Sequence, residues 1–123
     1  MTERMELGKR GENYACGYLV DKGYKVIARN HRETWGELDI VARARDKTLV
    51  FVEVKTMCYG GALGLVPEDQ MSSAKMKKFR RTAELYANAH ADLIKEHVGW
   101  RLDVLALLEN GSSFEVHHYE NVS

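Results

Sequence analysis

The sequence predicts an α/β fold, a mixed five-stranded sheet flanked by helices. Two segments carry apolar residues at helical spacing, and several short runs are rich in β-branched and aromatic residues. One helical segment lies between two of those runs, as a crossover joining parallel strands requires. With 123 residues, 45% of them apolar, and one proline, the chain can bury a core without disulfides or a structural metal. One domain over residues 1–123 is therefore expected.

From about Glu6 to Lys22, the residues Gly8, Glu12, Ala15, Cys16 and Leu19 fall within one arc of a helix. Gly23 then supplies a C-terminal cap. Tyr24 to Ala28 reads as a short strand, Leu38 to Ala42 as a second and Thr48 to Val54 as a third, with Arg45-Asp46-Lys47 as the polar turn between the last two. These three form an antiparallel meander. Thr56 to Gln70 contains Gly60, Gly61, Gly64 and Pro67 and has no sustained periodicity. Loops of that length in compact domains are usually functional, so a flap near the acidic residues described below is expected. Ser72 to His90 is a second helix, with Met71, Phe79, Thr82, Tyr86 and Ala89 on one face. Trp100 to Leu108 is apolar on both faces, as a central strand should be, and Ser113 to Tyr119 is an edge strand after the Asn110-Gly111 turn. The strand–helix–strand order implies that residues 50–54 and 102–107 run parallel with a right-handed connection.

Eighteen basic and eighteen acidic residues cancel, which excludes the global field of histone-like or membrane-surface proteins. No run approaches the roughly 18 apolar residues of a membrane-spanning helix, and the N-terminus has no apolar signal core, so a cytoplasmic protein without a membrane partner is expected. Cys16 and Cys58 stand alone and read as reduced thiols. The five histidines imply no metal cage. Charge is nonetheless clustered: Lys75, Lys77, Lys78, Arg80 and Arg81 crowd seven positions, and Lys22, Lys25, Arg29, His31 and Arg32 surround the first strand. Either group is a solvated face or a polyanion contact.

The chemistry is carried by Gly36-Glu37-Leu38-Asp39 and by Leu49-Val50-Phe51-Val52-Glu53-Val54-Lys55. Asp39, Glu53 and Lys55 occupy strand positions that normally hold buried apolar residues, where unpaired charge is costly. A divalent metal would resolve this: two carboxylates and an ammonium suit metal-assisted phosphodiester hydrolysis. In that reading Asp39, Glu53 and the Val54 carbonyl bind the metal and Lys55 positions the attacking water. An internal salt bridge between Lys55 and one carboxylate fits the spacing equally well. Strand periodicity puts Glu53 and Lys55 on one face and Val50, Val52 and Val54 on the other. Asp39 faces Glu53 only if the turn between their strands has an odd number of residues, so three or five are expected. Glu12 lies in the apolar arc of the first helix and Lys75 on the packed face of the second. Glu12 is either a further ligand or the partner of a helix end or a tyrosine, and Lys75 a phosphate contact or a snorkelling side chain. Lys78, Arg81 and Arg32 are further nucleic-acid contacts in this reading. Arg101 and Asp103 alternate on their strand and are expected to form a structural ion pair.

This layout resembles the PD-(D/E)xK nuclease superfamily, whose resolvase-like members place Glu on the first helix, Asp on one strand and Glu-x-Lys on the next. Glu12, Asp39, Glu53 and Lys55 occupy those positions. More narrowly, the chain resembles the bacterial YraN family through Gly11-Glu12, Gly23-Tyr24, Asn30, Gly36-Glu37-Leu38-Asp39, Phe51-Val52-Glu53-Val54-Lys55, Lys75 and Arg101-Leu102-Asp103-Val104. Met57 stands where that family tends to carry Arg. The resemblance implies a restriction-endonuclease-like core, a Mg²⁺- or Mn²⁺-dependent DNA endonuclease acting on branched or other structured DNA, and a homodimer as one assembly, since junction-cleaving relatives dimerise. A noncatalytic nucleic-acid-binding module and a protein-interaction subunit are the alternatives.

Overall fold

The computed structural model describes residues 2–58 and 71–122, so the expected flap lies, beyond Cys58, outside the described residues. The elements follow in the expected order: α1 (Glu3–Asp21), β1 (Lys25–Glu33), β2 (Gly36–Arg43), β3 (Leu49–Cys58), α2 (Ser73–Ala89), a short 3-10 turn (Ala91–Leu93), β4 (Trp100–Asn110) and β5 (Ser113–Tyr119). The sheet runs β1-β2-β3-β4-β5, parallel between β3 and β4 and antiparallel elsewhere. This is the mixed five-stranded α/β architecture that the periodicity predicts, and it is consistent with a restriction-endonuclease-like core.

Both helices begin at side-chain caps. The Thr2 hydroxyl accepts from the Met5 amide at 3.1 Å and Glu3 and Glu6 occupy the first turn, which starts α1 earlier than its apolar arc suggests. Ser72 caps α2 by accepting from the Lys75 amide at 3.2 Å. The first two strands are longer than expected for a different reason. Arg29 to Glu33 is polar and lies at the sheet edge, yet it pairs residue by residue with Gly36 to Ile40 around a two-residue turn. Hydropathy has no signal for an exposed edge strand.

Each face of the sheet packs under one helix. Ala15 and Leu19 of α1 meet Ile40, Ala42, Val50, Val52, Leu105 and Leu107. On the other face Phe79, Ala83, Tyr86 and Ala87 of α2 meet Val41, Leu49, Phe51 and Leu102. Ala89, expected on the packed face, is exposed; Ala83 and Ala87 continue the stripe instead. Lys75, also expected there, is exposed.

The approach of α1 to β3 depends on Gly11, where a Cβ would collide with the Thr56 side chain. Gly8, one turn earlier, is exposed and has no atom within 4 Å of such a Cβ. Gly11→Ala is therefore expected to destabilise the protein by about 1–3 kcal/mol through overpacking. Gly8→Ala should stabilise it by about 0.5–1 kcal/mol through helix propensity. Urea denaturation of both variants checks the pair, and shifts of the same sign would contradict this packing.

Candidate functional site

The β2–β3 register brings the two strand carboxylates together. Arg43 pairs with Leu49, leaving five residues in the connection, and the ladder ends at Ile40 opposite Val52. The odd number is what a shared face requires, and the Asp39 and Glu53 carboxylates lie close enough to interact directly. The turn is fixed locally: the Asp46 carboxylate accepts from the Thr48 amide at 3.0 Å, and the Ala44 amide donates to the Thr48 carbonyl at 2.9 Å. Beyond the ladder's end, the Val54 amide donates to Asp39 Oδ2 at 2.8 Å. Amide and carbonyl of one strand residue point to the same side, so the Val54 carbonyl is also directed toward β2, past its last paired residue.

The resulting charge balance is uneven. Lys55 Nζ lies 3.1 Å from Glu53 Oε2, with both side chains about one-fifth exposed. This is the ion pair that the salt-bridge reading anticipates. Asp39 has no such partner among the groups that dominate its electrostatics. Burial raises its carboxyl from the ordinary 3.8 to about 7, the neighbouring Glu53 charge adds to the rise, and Glu12 contributes in the same direction; only the hydrogen bond from Val54 opposes them. Lys55 thus serves the Asp39–Glu53 pair, while Glu12 has Arg29 at 3.5 Å.

The pair opens into a cleft of about 350 Å³, walled by Glu37, Asp39, Glu53 and Lys55 from the sheet and by Lys75, Lys78, Phe79 and Thr82 from α2. Helix α2 is held over the cleft at Gly36, where φ is +153° and a Cβ would strike Thr82. Lys75 and Lys78 therefore stand at the cleft. Arg81 is exposed and is not part of the wall. Glu12 and Arg32 line a neighbouring depression; Glu12 lies 3.5 Å from Arg29, and Arg32 lies 3.9 Å from Glu37. Glu37 was missed as a site residue, although its i, i+2 spacing to Asp39 on a strand is a usable signal.

A second group forms at β4 and β5. Asp103, His118 and Glu120 place one ligand atom each within 4.8 Å of one another, a spacing that could hold a metal ion. The histidines alone gave no sign of this, because His118 reaches Asp103 only through the β4–β5 register. Arg101 occupies the same space: Nε donates to Asp103 Oδ1 at 3.0 Å and Nη2 to Glu120 Oε1 at 2.9 Å. The expected Arg101–Asp103 ion pair is thus present. Cys16 is a free thiol, raised by burial. Among the described residues, no helix is long and apolar enough to cross a membrane.

Comparison with known proteins adds a family. The model of the uncharacterised protein family UPF0102 matches residues 11–107. A UPF0102 protein of Syntrophotalea carbinolica is 39% identical over 118 residues, covering 95% of this chain and 90% of its own length. One from Kosmotoga olearia is 40% identical, covering 96% and 93%, and one from Bacteroides thetaiotaomicron is 38% identical, covering 96% and 92%. The matched segment holds Glu12, Asp39, Glu53, Lys55, Lys75 and Asp103, and the chain belongs to the uncharacterised protein family UPF0102, the YraN family that its motif blocks resemble.

Proposed function

We propose that the chain is a Mg²⁺- or Mn²⁺-dependent phosphodiesterase acting on DNA, with the cleft between β2, β3 and α2 as its active site. The observation that carries this reading is Asp39: a half-buried carboxylate set against Glu53 with no ion-pair partner of its own among the described residues, on a cleft edged by lysines. The donor set fits a hard divalent cation, since Asp39, Glu53 and the Val54 carbonyl are all oxygen ligands. Such a cation, when bound, lowers the pKa of water and offsets charge developing on the phosphate. Lys55, held by Glu53, orients the water and accepts a hydrogen bond from nothing, so it serves as a donor and point charge. Lys75 and Lys78 draw substrate phosphates to the cleft, with Arg81 and Arg32 farther out, and Glu12 adds negative charge beside Asp39.

The Lys55–Glu53 ion pair favours a second reading, a noncatalytic module that keeps the fold with a structural salt bridge. Cleavage of supercoiled, branched and single-stranded DNA with Mg²⁺ or Mn²⁺ separates the two. Changing partners of metal ligands already costs about 10–100-fold, so Glu53→Gln is expected to lose at least about 100-fold in cleavage rate. Equal cleavage by wild type and Glu53→Gln would overturn the hydrolytic reading.

A further inference from the structure

We propose that the depression between α1 and β1, walled by Lys9, Asn13, Arg29, Asn30 and Arg32, is a phosphate subsite that holds the backbone of a nucleic-acid strand beside the acidic cleft. The proposal rests on reading that cleft as a phosphodiester site. The depression measures about 370 Å³. Its position follows from the β1–β2 register: Arg29 pairs with Ile40 and His31 with Leu38, so Asn30 falls opposite Asp39. Neighbouring strands lie about 4.8 Å apart, which puts Asn30, at the sheet edge, one strand spacing from Asp39. Arg32, on its wall, approaches Glu37, on the wall of the cleft, at 3.9 Å.

Charge separates the two spaces. The cleft sets three lysines against three carboxylates, whereas the depression sets Lys9, Arg29 and Arg32 against Glu12 alone. An anion therefore gains more in the depression. Arg29 is also oriented there. Its Nη2 donates to Asn13 Oδ1 at 2.6 Å and lies 3.5 Å from Glu12, while its side chain remains 41% exposed. A guanidinium has five N–H donors in a fixed fork, so the remaining donors suit phosphate oxygens. Asn30 supplies an amide at a left-handed φ of +49°. Among the described residues, no aromatic side chain lines the depression, so bases have no stacking platform and recognition is of backbone, independent of sequence.

The test is fluorescence anisotropy of a labelled 20-nucleotide oligo-dT and a mixed-sequence strand, in EDTA, across a KCl series. Each phosphate contact on a single strand contributes about 0.7 to the salt slope, so Lys9→Gln/Arg32→Gln, both at exposed positions, should lower it by about 1.4 for both strands. Arg29→Gln should lower it by about 0.7, and Arg29→Lys should restore most of the loss. Unchanged slopes, or no binding by the wild type, overturn the subsite. Metal-induced thermal stabilisation that Asp39→Asn abolishes, read in parallel, reports on the cleft: its absence with lowered slopes would overturn the hydrolytic reading and support the subsite.

Discussion

Asparagine in place of Asp39 is expected to raise the melting temperature at pH 8 and to abolish stabilisation by Mg²⁺ or Mn²⁺. The folded carboxyl binds its proton up to about pH 7, whereas an unperturbed one releases it near 3.8. Between those values the native state holds a proton that the unfolded chain has lost. Stability therefore falls as pH rises through this window, and the deficit is complete above pH 7. At about 1.4 kcal/mol for each pH unit between the two values, the deficit amounts to a few kcal/mol. Asparagine keeps an acceptor for the Val54 amide and presents a donor to Glu53, which removes the repulsion without losing the hydrogen bond seen at 2.8 Å. For a domain of this size the gain corresponds to roughly 10 °C. Wild type should show the opposite profile with metal, gaining most at high pH, where the Asp39 carboxyl is ionised. Melting curves of the two proteins from pH 5 to 9, with and without metal, decide the matter. A lower melting temperature for Asp39→Asn at pH 8 would make Asp39 a structural group and leave the cleft without its main argument.

How much of this was visible in the sequence depends on which interactions set each feature. The carboxylate pair was legible because strand period and turn parity are local rules, and five residues between Arg43 and Leu49 satisfy them. The packed faces were legible from apolar spacing, apart from Gly8, Ala89 and Lys75 toward the helix margins, where periodicity does not say how far the sheet reaches. The depression beside Asp39 was not, because it depends on Arg29 to Glu33 pairing as an exposed strand, and polar residues carry no burial signal. Nor was the union of Asp103 with His118, which requires the β4–β5 register. The acidic side chain most suited to a metal by spacing alone thus lies away from the motif that suggested one.

Asp103 provides the sharpest contrast with Asp39. Its side chain is fully buried, and it accepts from Arg101 Nε at 3.0 Å, from Arg101 Nη2 at 3.3 Å and from the Asn121 amide at 3.0 Å, with His118 Nε2 at 2.8 Å. Burial pushes its carboxyl upward, but the hydrogen bonds from His118, Arg101 and Asn121 outweigh burial and hold it below the ordinary value. The sign is therefore the reverse of that at Asp39. The contribution is present above pH 3.8 and is lost as pH falls through the depressed folded value. Asp103→Ala leaves the Arg101 guanidinium, 19% exposed, without its main counter-ion, and removing one partner of a buried pair costs about 3–5 kcal/mol. That loss should appear in urea denaturation at pH 7 and shrink toward acid pH. It also distinguishes two positions for a divalent ion. With Arg101 bound to both Asp103 and Glu120, a cation entering there must displace a guanidinium, whereas Asp39 has no ion pair to displace among the described residues. Asp39→Asn should consequently lose the whole metal response while Asp103 stays intact. A response that survives in Asp39→Asn and disappears in His118→Ala would move the metal site to β4 and β5.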